Sequence, residues 1–200
     1  MIEILTLLIL LIPFSVFIFN SIVLRNLISD KSEIPGIVNS ISIGISFIFA
    51  LIVLFNLGDF SSSISFTWIN LNDVDITFSF LVDPLTAIML VVVSGVSFLV
   101  QIYSIGYMHG DKSFCRYFSY MALFTGSMLG LVMSRNILQL FIFWELVGVS
   151  SYLLIGFWHE RKSAAAAAKK AFIMTTLGDF GFLFSIIYLF NVNSDLLEIP

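Results

Sequence analysis

Residues 84–107 have the sequence PLTAIMLVVVSGVSFLVQIYSIGY, which contains no charged side chain. A helix needs about 20 predominantly apolar residues to cross the hydrocarbon core of a bilayer. Backbone in lipid must satisfy its own hydrogen bonds, and a run this long and this apolar on every side favours a helix over a barrel strand. This segment therefore predicts a membrane-spanning helix.

Five further segments have the same character. The chain is 59% hydrophobic and only 11% charged, which is far from the composition of a soluble domain. The prediction is an all-α, polytopic membrane protein with six transmembrane helices. The apolar run that follows Glu3 is expected to be the first of them rather than a cleaved leader. The six predicted helices cover residues 4–24, 36–57, 84–107, 117–134, 137–158 and 164–190.

The connection at residues 58–82 differs from the other connections. It is rich in Gly, Ser, Asn and Asp, which predicts a loop, and residues 66–68 and 76–80 within it favour a short hairpin at the surface.

The predicted helix starts carry capping residues. Asp83 precedes Pro84, and a carboxylate before a proline is typical of the first turn of a helix. Asn136 is the predicted N-cap of the fifth helix and Ser163 that of the sixth.

The basic residues predict the orientation. Cytoplasmic loops carry an excess of Lys and Arg, and here eight basic residues fall on one side against Arg135 alone on the other. The N-terminus and the end of the sixth helix are therefore expected on the outer side. The eight inner residues are Arg25, Lys31, Lys112, Arg116, Arg161, Lys162, Lys169 and Lys170.

Two carboxylates lie near the centres of predicted helices. Glu145 is on the fifth helix, where Gly148 and Tyr152 share its face, and Asp179 is on the sixth. A charge at mid-bilayer costs on the order of 2.5–3.5 kcal/mol on insertion scales, and such acids usually mark ion or proton pathways. The alternative is that both acids are structural hydrogen-bonding groups between helices. His109 and His159 are expected to be ordinary interfacial residues.

Three stretches carry a resemblance to a known family. They are FSFLVDPLTAIMLVVVSGVSFLVQIYSIGYMHGD (78–111), RYFSYMALFTGSMLGLVMSRNILQLFIFWELVGVSSYLLIGFW (116–158) and AAAKKAFIMTTLGDFGFLF (166–184). The chain resembles the antiporter-like large subunit of complex I, which is chain L of bacterial NADH-quinone oxidoreductase and subunit five of mitochondrial NADH dehydrogenase. Members of that family are considerably longer than this chain.

The resemblance implies a role for each matching residue. Glu145 matches a glutamate that pairs with a lysine of the seventh helix in a proton half-channel, and Asp179 matches an acid of the same half-channel. Lys169 or Lys170 matches the basic entry to the sixth helix. The family usually has an arginine three residues before this aspartate, where this chain has Thr176.

The resemblance also implies the organisation and the partners. Residues 1–111 would form three N-terminal transmembrane helices with the outer loop at 58–82, and residues 112–200 would begin the proton-translocating repeat. Other membrane subunits, above all the adjacent antiporter-like subunit, and the lipid bilayer are the expected partners, and no nucleic acid is expected. The chain, with the single cysteine Cys115, is expected to hold no cofactor, because NADH, flavin, iron–sulfur clusters and quinone bind to other subunits.

Two rival functions remain open on the sequence. The chain also fits the large subunit of a multi-subunit cation/proton antiporter, or a subunit of a membrane-bound hydrogenase. The alanine-rich segment KSAAAAAKKAF at residues 162–172 favours a bacterial inner membrane over a mitochondrial one.

Overall fold

The computed structural model describes residues 2–24, 26, 32–57, 61–71 and 74–192, with backbone alone at 69–71 and 74–76. The described part consists of six long helices and one two-stranded hairpin. The elements are α1 (Ile2–Ile18, continued by a π-helical segment Phe19–Leu24), α2 (Ile34–Leu57), β1 (Ser62–Leu71), β2 (Val74–Val82), α3 (Pro84–Tyr107), α4 (Phe114–Val132), α5 (Ile137–Ile155) and α6 (Lys162–Val192).

Five of these six described helices are long and apolar enough to cross a membrane. The exception is α4, which has 19 residues but carries Arg116 and several hydroxyl side chains. It packs against α1, α2, α3 and α5, and its polar residues Ser119, Thr125 and Ser127 are buried. Because protein surrounds α4, it needs less apolar surface than a helix in contact with lipid. The count of six spanning helices stays a prediction.

Directional polar contacts hold α4 in the centre of the bundle. Asn39 on α2 donates its side-chain amide to the carbonyl of Phe118 at 3.0 Å. The hydroxyl groups of Ser104 on α3 and Tyr117 on α4 lie 3.1 Å apart. Buried hydrogen bonds of this kind fix the rotation of a helix, which apolar packing alone specifies weakly. They therefore set which face α4 offers to α5.

The hairpin predicted within residues 58–82 is confirmed, and its strands are longer than predicted. The strands pair in antiparallel register from Ser62 opposite Val82 to Leu71 opposite Val74, with an irregularity between Thr67 and Ile69. The base of β2 also pairs with the α4–α5 connection: the N–H of Leu81 donates to the carbonyl of Met133 at 2.9 Å. The hairpin therefore lies against that connection, at one end of the helix bundle.

Two of the three predicted N-caps are confirmed. Asp83 Oδ1 accepts from the N–H of Thr86 at 2.6 Å, and this backbone hydrogen bond lowers the pKa of Asp83 below its ordinary value. Asn136 Oδ1 accepts from the N–H of Leu138 at 2.8 Å.

The prediction for Ser163 is wrong. The helix α6 begins at Lys162, so Ser163 lies inside its first turn. The N–H of Ala165 already donates to the carbonyl of Arg161 at 3.1 Å, which starts the helical hydrogen-bond ladder before Ser163.

The other end of the bundle joins three connections. His109, after α3, lies 2.6 Å from Glu33, which precedes α2. Trp158, after α5, donates its indole N–H to Asp111 at 3.1 Å. These contacts gather the predicted inner connections at the end opposite to the hairpin, which agrees with the predicted grouping of the basic side chains. Arg25 and Lys31, two of the residues behind the orientation prediction, lie outside the described residues.

Candidate functional site

The candidate site lies where α5 and α6 pack against each other as antiparallel neighbours. Two aromatic contacts bracket this interface: Phe141 lies 5.4 Å from Phe182 between ring centroids, and Tyr152 lies 5.3 Å from Phe172. Since residue numbers rise along one helix as they fall along the other, positions between Phe141 and Tyr152 face positions between Phe172 and Phe182. Both predicted carboxylates fall within this stretch.

Glu145 and Asp179 face each other across this interface, close enough for their carboxyl groups to interact. Both side chains are half-buried. The two acids therefore lie on neighbouring helices, whereas their role in proton movement stays a prediction. Two ionised carboxylates this close would repel each other.

Trp144 adds a contact that the sequence reasoning missed. Its indole N–H donates to Asp179 Oδ1 at 2.9 Å, which links the helix of one acid to the side chain of the other. The sequence did indicate that Trp144 needs a partner, because an indole N–H inside an apolar helix needs an acceptor. The partner could not be identified without the register of α5 against α6.

Two residues beside the acid pair have small side chains. A Cβ added at Gly148, on the same face of α5 as Glu145, would meet no heavy atom within 4 Å. On α6, Thr176 is half-buried one helical turn before Asp179 and contributes a hydroxyl group without a charge. There is therefore room beside Gly148, on the face of α5 that carries Glu145 and towards the end of the helices opposite to the hairpin.

A cavity of about 200 Å³ lies at the end of the bundle opposite to the hairpin, where α4, α5 and α6 meet. Tyr152 forms part of its wall on α5, and Lys169 forms part of its wall on α6. Arg116 enters from α4, with its guanidinium 5.1 Å from the Phe157 ring centroid and one N–H donated to the Phe157 carbonyl at 3.2 Å. The cavity therefore combines two cations with a phenol that lies on the face of Glu145.

The structure separates the two candidate lysines. Lys169 lines the cavity, whereas Lys170, which is also exposed, is not among the residues that line it. Within the described ranges, no group of three or more His, Cys, Asp or Glu side chains is placed to hold a metal ion. The Cys115 thiol donates to the carbonyl of Asn20 at 3.3 Å.

Two family models match the chain and together cover more than half of it. Residues 68–118 match the model described as NADH-Ubiquinone oxidoreductase (complex I), chain 5 N-terminus. Residues 134–199 match the model described as NADH:quinone oxidoreductase/Mrp antiporter, TM. The second match contains the whole α5–α6 interface and both carboxylates.

Similar proteins include subunit 5 of chloroplast NAD(P)H-quinone oxidoreductases. The subunit from Physcomitrium patens is 45% identical over 187 residues, which are 88% of this chain and 26% of that protein. The subunit from Anthoceros angustus is 56% identical over 123 residues, which are 62% of this chain and 17% of that protein. The chain thus spans about a quarter or less of the length of these relatives.

Two solved structures share the fold. The Mrp complex from Dietzia sp. DQ12-45-1b matches with a TM-score of 0.76 at 23% identity, over 95% of this chain and 20% of that one. An archaeal membrane-bound sulfane sulfur reductase matches with a TM-score of 0.78 at 18% identity, over 94% of this chain and 37% of that one. At these identities the likeness concerns the arrangement of the helices.

Proposed function

The chain belongs to the antiporter-like family of complex I chain 5, and on that premise we propose that it forms part of a proton half-channel in a membrane subunit of an NAD(P)H-quinone oxidoreductase. Electron transfer in other subunits would change the charge balance around this half-channel and thereby move protons. The NADH, flavin, iron–sulfur and quinone sites would lie in those other subunits. Within these 200 residues the single cysteine could not hold such a cluster, because an iron–sulfur cluster needs several thiolate ligands.

The observation that carries the proposal is the pairing of Glu145 with Asp179 in the middle of two apolar helices. Placing one ionised carboxylate at that depth raises the free energy, and two ionised carboxylates raise it further unless one of them holds a proton. A pair that gains and loses one proton as nearby charges change is what a proton relay requires. In this proposal Glu145 and Asp179 together form the site that takes up and releases the proton.

The inner cavity supports a route to this pair. Lys169 lines the cavity together with Tyr152, and the open space at Gly148 lies between Tyr152 and Glu145 on one face of α5. We assign Lys169 to the inlet, where its charge would respond to the charge of the acid pair. Lys170, the weaker candidate, would be a basic residue of the inner surface.

The finer organisation belongs to the same proposal. All six helices would span the membrane, with the hairpin on the outer side together with the N-terminus. Residues 1–111 would support the half-channel and residues 112–200 would begin the translocating repeat. The partners would be the neighbouring membrane subunits of the complex, including the adjacent antiporter-like subunit.

Two membranes are in question. The bacterial inner membrane is the location that the sequence favours. The chloroplast names of the relatives support an organellar energy-coupling membrane as the alternative.

A cation/proton antiporter or hydrogenase subunit is the second candidate function. The likeness to the Mrp complex supports the fold of such a protein, but at 23% identity it shows the arrangement of helices alone. The subunit 5 relatives are 45–56% identical over the matched residues, which favours the oxidoreductase.

The decisive experiment replaces Glu145 in the full-length subunit within its complex. Glu145→Gln keeps the volume and an acceptor but removes the titratable charge, so proton uptake per electron should fall more than the abundance of the complex. Glu145→Asp should be milder, because the charge survives on a shorter side chain. Both are measured in reconstituted vesicles, with assembly checked on a native gel.

Glu160→Gln is the matched control, since the same change is made on an exposed residue of the inner connection. Its pumping ratio should equal that of the wild type. A fully assembled Glu145→Gln complex that pumps like the wild type would exclude Glu145 from the mechanism and leave the structural interpretation of the pair.

A further inference from the structure

The proposed half-channel assigns no role to the contact between Trp144 and Asp179. Trp144 immediately precedes Glu145 on α5, yet its indole N–H reaches across to α6 and donates to Asp179 Oδ1 at 2.9 Å. Trp144 is 49% exposed, so its side chain is only partly packed. The directional part of its interaction is the hydrogen bond to the carboxylate.

We propose that Trp144 is a positioning residue that keeps Asp179 an acceptor and thereby places the shared proton of the acid pair on Glu145. This inference rests on the proposed function, because it concerns the same two carboxylates. It assigns separate roles to them: Glu145 carries the proton, and Asp179, held by Trp144, is its fixed counter-charge.

The chemistry follows from the indole group, which can donate a hydrogen bond but cannot accept one. An ionised carboxylate accepts that bond more strongly than a protonated carboxyl does, because hydrogen bonds to charged groups are the stronger class. The two states of the pair hold the same single proton, either on Glu145 with Asp179 ionised or on Asp179 with Glu145 ionised. The Trp144 bond stabilises the first state relative to the second, on the order of tenfold for a charge-assisted bond.

The other groups around the pair leave this role to Trp144. Thr176, one turn before Asp179, brings no positive charge. Lys169 precedes Asp179 by ten residues, which is about 15 Å along a helix, and lines the cavity at the inner end. In the described part of the chain, the hydrogen bond of Trp144 is thus the directional contact that discriminates between Asp179 and Glu145.

The test is Trp144→Phe in the full-length subunit of the assembled complex, which removes the N–H and keeps an aromatic ring. Proton uptake per electron should fall to a value between wild type and Glu145→Gln. In infrared difference spectra, a protonated-carboxyl band should appear in Trp144→Phe and be weak or absent in the wild type. Adding Asp179→Asn to Trp144→Phe should remove this band, which assigns it to Asp179. A residue that only fills space would not move a proton between the two acids.

Trp158→Phe is the matched control. Trp158 also donates its indole N–H to a carboxylate, that of Asp111 at 3.1 Å, but in an exposed connection away from the acid pair. It should leave the pumping ratio and the carboxyl bands unchanged. A tryptophan analogue with sulfur in place of the indole N–H, inserted at position 144, keeps the full ring and should reproduce the effect of Trp144→Phe.

Either of two results would overturn the inference: a wild-type pumping ratio in Trp144→Phe, or no gain of the Asp179 carboxyl band. If Glu145→Gln abolishes pumping while Trp144→Phe does not, the half-channel stands and only the role of Trp144 fails. If neither substitution changes pumping, the proposed function fails as well.

Discussion

Substitution of Gly130 by alanine tests how α4 is packed against α5. A Cβ at Gly130 would overlap the ring of Phe143 on α5. Phe143 is 7% exposed, and its ring packs against Phe78 and Phe80 with centroid distances of 6.3 Å and 6.4 Å, so it cannot move aside freely. The added methyl group must therefore push the two helices apart or force Phe143 out of its rotamer.

Gly148 provides the internal reference for the magnitude. Both glycines lie inside helices, so Gly→Ala gains about 0.5–1 kcal/mol of helix stability at either position. This gain cancels when the two variants are compared. What remains is the overpacking at Gly130, about 1–3 kcal/mol, since a Cβ at Gly148 meets no atom within 4 Å.

The assay is reversible unfolding of the full-length subunit in mixed detergent micelles, followed by circular dichroism. Gly148→Ala should equal or exceed the wild type in stability, and Gly130→Ala should lie about 1–3 kcal/mol below Gly148→Ala. Phe143→Leu in the Gly130→Ala background should recover part of the loss, because the smaller side chain makes room. Equal stability of the two alanine variants would refute the close approach of α4 and α5 at Gly130.

The remaining predictions concern the cap of α3 and the topology. Asp83→Ala should destabilise the subunit by about 1 kcal/mol and Asp83→Asn by less, as measured by the same unfolding assay. Because folding lowers the pKa of Asp83, its contribution to the stability of the subunit is complete above its ordinary pKa of about 3.9. This contribution is lost as the pH falls through the folded-state pKa, and Asp83→Asn should lack this acid dependence. Cysteines at Ser62 and Ser163 should react with impermeant reagents from opposite sides of the membrane, and labelling from the same side would contradict the topology.

The sequence predicted the features that depend on local chemistry. Helices α2 and α3 end where their apolar runs end, because lipid-facing backbone tolerates no other structure. The Asp83 and Asn136 caps were predictable because a short polar side chain directly before an apolar helix can accept from a backbone N–H of the first turn. The hairpin followed from turn residues on either side of β-branched and aromatic ones.

The features that depend on tertiary packing were not predictable in this way. Ser163 has the right residue type for a cap, but the carbonyl of Arg161 already accepts from the N–H of Ala165, so α6 begins before the serine. The central position of α4 depends on partners such as Asn39, which lies 79 residues from Phe118 along the chain. The bond from Trp144 to Asp179 likewise required the register between α5 and α6.

The chemistry of the acid pair distinguishes the two interpretations of Glu145 and Asp179. A structural contact between helices is best made by groups that can donate, such as amides and hydroxyls; the Asn39 amide, for example, donates to the carbonyl of Phe118. Two facing carboxylates supply acceptors only, until one of them binds a proton. Trp144 satisfies one oxygen of Asp179 and leaves Glu145 facing an acid. As a structural contact the pair is therefore poor, whereas its composition suits a site that holds one exchangeable proton.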